Sequence, residues 1–259
     1  MVRQKDEHDA QFALTLLVQS SMITSIHCML RRLHVCFVLI WSLAAFGQQP
    51  SPASGSTVNH ASSADSQLVT FALDFPHSQP QHYSIRIPSD GPAHYESIVR
   101  ISTDSEDTDS FAFDFQLSSE TRQKIFALAA SAGYFQHDLD SHRKDIAFTG
   151  KKTLSYRDGH QTGESTYDFS TNRAVAELTR IFQDLSATLE FGHRLDYDHH
   201  YQKLALDDEL KRMEEMARSS GLMEVAAIQP ILEQIVSDHT VINVARARAQ
   251  KLLRSPNSR

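Results

Sequence analysis

From position 68 onward, apolar residues first recur at every second position and later at every third or fourth. Val69, Phe71, Leu73 and Phe75 alternate with Thr70, Ala72 and Asp74, and Tyr83, Ile85 and Ile87 alternate with Ser84 and Arg86. A period of two places one face of a strand against a core and leaves the other in water. Ser89-Asp90-Gly91-Pro92 has the composition of a turn, because Gly tolerates positive φ and Pro fixes its own. Residues 95–101 then read as the returning strand. After an acidic loop over 104–109, Phe111, Phe113, Phe115 and Leu117 give the clearest alternation in the chain, with Ala112, Asp114 and Gln116 on the other face. That phenylalanine row is expected to be sheet core.

The period then changes. Ser118 suits an N-cap, Ile125, Phe126, Leu128 and Ala129 have helical spacing, and Gly133 suits the C′ position. Residues 146–149, 153–157 and 165–169 read as further strands. The last two form a hairpin around Asp158-Gly159, with a loop longer than two residues. Ser170 or Thr171 is expected to cap a helix whose stripe is Val175, Leu178, Ile181, Phe182, Leu185 and Leu189, and which Gly192 ends. The remainder is helical by pattern: about 194–220 closed by Gly221, about 222–236, and about 240–254. Pro230 either starts a helix at Gln229 or kinks one.

The expected fold is therefore α+β. An antiparallel sheet of about five to seven strands with two packed helices, in a domain over 67–191, precedes an α-helical C-terminal region over 192–259. The 194–220 segment is two-faced: at about 100° per residue, Tyr197, Tyr201 and Leu204 point away from Leu206, Leu210, Met213 and Ala217. Either the helix breaks near 204–206, or it is contacted on both sides.

The start of the chain reads as an address. Residues 29–49, MLRRLHVCFVLIWSLAAFGQQ, combine Arg31 and Arg32, an uncharged apolar run from Leu33 to Phe46, and the small-x-small pattern Ala45-Phe46-Gly47. This is the layout of a secretory signal peptide cut after Gly47. The run is short for a membrane span, which needs about 20 apolar residues. Residues 1–28 are too long for an ordinary n-region, so Met29 is the expected true start. Residues 48–66 are rich in Pro, Ser and Ala and read as a flexible linker. The expected location is extracytoplasmic, periplasmic or secreted, with no membrane span after cleavage.

Charge and chemistry narrow the function. Lys and Arg total 25 against 32 Asp and Glu, a net of −7, which argues against nucleic acid as a partner. Both cysteines, Cys28 and Cys36, lie upstream of the expected cleavage point, so the exported chain has no disulfide and no thiolate. GxSxG and P-loop patterns are missing, and no catalytic or cofactor-binding residue is assigned; Gly150-Lys151-Lys152-Thr153 lacks the first P-loop glycine, with Asp145 in its place. Asp138, Asp140 and Asp145 are abundant carboxylates without a defined pairing. Asp104 to Asp109 does not fit a calcium loop, since the required Gly and Glu places hold Asp109 and Phe115.

One metal arrangement is spaced suitably. His193, Asp196 and His200 share a helical face, and three N/O ligands with an open position describe a zinc site. The plain alternative is a set of exposed polar side chains. Arg246, Arg248, Lys251 and Arg254 complement the dipole of the last helix, or meet an acidic partner.

The stretch YSIRIPSDGPAHYES resembles the opening of small bacterial secreted domains of unknown function, in Tyr83, the Asp90-Gly91 turn and Tyr95. The order that follows is also similar: a Leu-Ser-Ser-Glu helix start at 117–120 and a helix ending AGYF at 132–135. The resemblance spans about residues 68–190 and implies an α+β domain without an assigned activity. The chain departs from it in lacking an early cysteine pair. The function these observations favour is a non-catalytic exported protein acting through protein contacts of the 194–254 helices. The alternatives are a metal-binding protein or hydrolase using His193, Asp196 and His200, and a small-ligand binder with a site between sheet and helical tail.

Overall fold

The structure, a computed structural model, describes residues 66–76, 78–100 and 107–254. The signal peptide, the start at Met29, nearly all of the 48–66 linker and half of the 104–109 loop lie outside the described residues.

The fold is α+β, as the periodicities predict. Six antiparallel strands form one sheet: β1 (Leu68–Asp74), β2 (His82–Pro88), β3 (Ala93–Arg100), β4 (Thr108–Phe115), β5 (Lys151–Arg157) and β6 (Thr162–Tyr167), in the order β4-β3-β2-β1-β5-β6. Between β4 and β5 lies helix α1 (Ser119–Ser131); after β6 come α2 (Arg173–Tyr201), α3 (Leu206–Arg218), α4 (Gln229–Ser237) and α5 (Asn243–Leu253).

Register carries the alternation across the sheet. Phe71 lies opposite Ile85 and Leu154, and Ile85 opposite Tyr95, so these four share the face that is buried. On the other face Thr70, Arg86, His94 and Asp114 follow one another across four strands. Helices cover the apolar face. The rings of Phe71 and Phe182 of α2 stack at 4.9 Å and 3°. Below them, Tyr95 donates to Glu190 Oε1 of the same helix at 2.7 Å, with Ser186 Oγ at 3.0 Å from the phenol. Each buried phenol oxygen thus has a polar partner, which limits the desolvation cost of placing it in a core.

Ser118 caps α1 as expected, accepting from Thr121 N at 3.2 Å, and Gly133 follows that helix as C′. The β5–β6 hairpin closes at Asp158, whose N–H reaches Gln161 O at 3.0 Å.

Three expectations are corrected. Residues 146–149 are not a strand: the Thr149 N–H goes to the Asp168 carboxylate at 2.9 Å instead of a ladder partner, and Gly150 at φ +97° turns the chain into β5. The cap of α2 is Asn172, whose side chain accepts from Ala174 N at 2.9 Å; Ser170 Oγ accepts from Asn172 N one step earlier. Gly192 does not end α2, which continues to Tyr201. Its role is proximity, since a Cβ there would collide with Ile228 Cγ2. Of the two options for 194–220, the break holds, with a turn over 202–205 between α2 and α3.

That turn resolves the two-faced pattern. Leu206, Leu210 and Met213 are buried, whereas Tyr197, Tyr201 and Leu204 stay 50%, 75% and 83% exposed. Pro230 starts α4 in its first turn, the first of the two options its position allowed. Arg248 and Lys251 of α5 are held within the molecule. Arg248 binds Asp207 at 2.8 Å and Glu214 at 2.9 Å, and Lys251 lies 3.3 Å from Glu214. Among the described residues, no helix is long and apolar enough to cross a membrane.

Candidate functional site

Strand β4 ends the sheet, so its outer side has no partner strand among the described residues. Its inner-face positions are Asp109, Phe111 and Phe113, and the helices do not fully cover them. Phe111 and Phe113 remain half-buried, in contrast to Phe115, which lies in the core. The row expected to be sheet core is therefore core only at its end.

Opposite these rings stands a wall from distant parts of the sequence: Leu189, Gly192 and His193 of α2, then Ala227, Ile228, Pro230 and Ile231 at the start of α4. Between wall and strand lies an apolar groove of ≈ 290 Å³, with Asp196 and Gln234 at its rim. Absence of a side chain at Gly192 lets Ile228 approach α2 closely and sets the groove's floor. His193 lies flat on Phe111, with ring centroids 4.0 Å apart and planes 3° from parallel. Phe111 in turn meets Phe113 at 6.0 Å. Such stacks hold rings in one orientation at little entropy cost, which suits a binding surface.

His193 also borders a second, polar cleft of ≈ 480 Å³, lined by Asp109, Glu190, Arg194, Tyr197, Asp198, Glu209 and Arg212 among others. Here the two arginines are already engaged. Arg194 Nε donates to Glu209 Oε1 at 2.6 Å, and Arg212 contacts the other oxygen, Oε2, at 2.9 Å. Burial, followed by the charge of Glu209, pushes the Asp198 carboxyl above the usual range. Four carboxylates, Asp109, Glu190, Asp198 and Glu209, thus line the cleft against two arginines.

The proposed zinc ligands are not gathered into a metal centre. His193 is stacked on β4. His200 Nδ1 donates to the main-chain oxygen of Asp196 at 2.8 Å, with the Asp196 carboxylate 3.6 Å away. Zinc needs three donors converging on one point about 2 Å from each. Among the described residues, no three His, Cys, Asp or Glu side chains are so arranged.

The other chemistry-bearing residues serve the fold. The Lys152 ammonium is buried and donates to the carbonyls of Gly150 and Asp168 at 3.0 and 2.9 Å and to Thr149 Oγ1 at 2.9 Å; burial pushes its pKa down. Asp140 accepts from Asp168 N at 2.8 Å and His142 N at 2.6 Å, so it pins a loop and does not pair with a second catalytic carboxylate.

Sequence reasoning missed the groove. Phe111 and Phe113 carry the same period-two signal as true core residues, and only the placement of α4 decides that they stay open. The legible hint was charge: β4 contains two aspartates and no Lys, Arg or Pro. No protein-family model matches this chain, and comparison with curated proteins finds no match.

Proposed function

We propose that this chain is an exported, non-catalytic binding protein, and that the groove between β4 and the α2–α4 wall is its recognition surface. The observation that carries this reading is the half-exposed Phe111–Phe113 pair on a sheet edge, facing Ile228 and Ile231 across an apolar groove. Apolar surface kept open beside a polar rim marks interaction sites more often than it marks idle surface. The exposed Tyr197 and Tyr201 at the end of α2, and Leu204 in the turn after it, offer further contact area. Export rests on the residue 29–49 signal. The structural use of Lys152 and Asp140 favours binding over catalysis.

The test is recovery of whatever the protein holds in its native envelope, compared across variants. Phe113→Asp weakens that association by at least about tenfold, equivalent to about 1.4 kcal/mol. Thr166→Asp, on the exposed outer sheet face, leaves it unchanged. Equal association in both variants removes the groove from function. A second reading has its own support, since the groove's volume suits a small apolar ligand lying between sheet and helical tail. Native mass spectrometry of the purified protein separates the two, because a retained small molecule adds a discrete mass.

A further inference from the structure

Strand β4 lacks several of the devices that guard a sheet edge. Natural edges are kept from pairing by lysines, prolines, bulges or short length. β4 runs eight residues, TDSFAFDF, with no Lys, Arg or Pro, and pairs in unbroken register with β3 from Ala93↔Phe115 to Arg100↔Thr108. Its outer backbone groups have no strand partner among the described residues. Such an edge is a template for an added strand, in which main-chain hydrogen bonds give affinity and alternate side chains give specificity.

The two cavities follow that alternation. Asp109, Phe111 and Phe113 are successive inner-face positions, the first in the polar cleft and the other two in the apolar groove. A strand laid beside β4 would turn every second side chain toward the same three positions. The partner's side chain near Asp109 would meet an acidic environment, because Asp109, Glu190, Asp198 and Glu209 line the cleft against two arginines, both paired with Glu209. Its next two inward side chains would meet Phe111, Phe113, Ile228 and Ile231.

The geometry points to one occupant: an extended basic segment of an exported partner protein, which joins β4 as a new edge strand. Its Lys or Arg sits at Asp109 and Asp198, and its apolar side chains at alternate positions enter the groove. Charge selects this occupant over a second copy of the chain. A second β4 edge carries no Lys or Arg to place at Asp109 and Asp198 and would bring only further aspartates. This inference rests on the reading of the groove as the recognition surface and adds the class of ligand to it.

The probe is a displayed library of random octapeptides, selected on the full exported chain. Enriched peptides are expected to carry apolar residues two apart, with Lys or Arg two positions beyond them. Synthetic copies should lose binding when alternate backbone nitrogens are methylated, since ladder hydrogen bonds are then blocked. Asp109 is exposed, so Asp109→Lys leaves the fold intact, and it should weaken these peptides by about tenfold or more. Enriched peptides without basic residues, or ones indifferent to Asp109→Lys and backbone methylation, overturn the basic added strand. If such peptides still depend on Phe113, the groove itself stands; if they do not, both readings fall. A dimer of the chain that Asp109→Lys strengthens would mean that a second copy takes the edge, and also overturns the proposal.

Discussion

At the scale of single residues, two carboxylates do work that no local pattern announces. Glu224 lies buried at φ +53°, an uncommon backbone region for a side chain of its size. Its carboxylate accepts from Ser118 N at 3.1 Å, Ser118 Oγ at 2.6 Å and Thr121 Oγ1 at 2.5 Å. It therefore adds a negative charge to the N-terminus of α1, where backbone donors are unsatisfied and the helix dipole is positive. Glu224→Gln should lower stability by about 1.5–3 kcal/mol in denaturant unfolding, because charge-assisted bonds are lost and donors stay buried. Unchanged stability would show that the cap does not depend on the charge. On the solvent face, His94 Nδ1 lies 2.5 Å from Asp114 and Nε2 2.8 Å from Glu96. The Asp114 hydrogen bond, ahead of the contact with Glu96, raises the His94 pKa above its ordinary value of 6.5. A raised histidine pKa favours the folded state most below 6.5, and that contribution fades as pH climbs through the folded value. An NMR titration should place the His94 midpoint above 6.5, and Asp114→Asn should bring it down. A midpoint unmoved by Asp114→Asn would rule out that cause.

At the scale of elements, the central question is why α2 runs on past its glycine. A helical glycine is disfavoured by about 1 kcal/mol relative to alanine, so Gly192→Ala in isolation should stabilise. Here the added methyl would collide with Ile228 Cγ2, and overpacking costs about 1–3 kcal/mol. The collision outweighs the propensity, so Gly192→Ala should lower the melting temperature. In an Ile228→Ala background, where that methyl is gone, the same change should become neutral or stabilising. A Gly192→Ala protein as stable as the parent would show that the contact between α2 and α4 is loose. Strands and helices whose pattern was generated by local burial were readable: β1, β2 and β3 alternate in sequence as they do in the sheet. Where a side chain took over a backbone bond, the pattern misled. Thr149 gives its N–H to Asp168, so a β-rich stretch at 146–149 forms no strand. Gly192 looked like a stop because close approach and helix ending use the same residue.

At the scale of the molecule, the helical tail builds one side of the groove and the sheet edge builds the other. The tail's helical character, and the break between Leu204 and Leu206, were open to the sequence because apolar spacing reports which face is buried. What the spacing does not report is which element does the covering. Phe71 and Phe113 have the same neighbours in pattern, yet Phe71 lies under Phe182 and Phe113 lies open beside the start of α4. The zinc arrangement failed for a related reason. Helical spacing put His193 and His200 on one face, but the ring of His193 was claimed by Phe111 across the sheet edge. The groove thus belongs to tertiary packing, and it gives the molecule an apolar, acid-rimmed edge on which binding is proposed to occur. The most direct measurement is site-specific photocrosslinking in the native cell envelope, with p-benzoyl-phenylalanine in place of Phe113 and, separately, in place of Thr166 on the outer sheet face. Recognition at the groove predicts a discrete adduct from position 113 and none from position 166. No adduct from 113, or the same adducts from both, would contradict it.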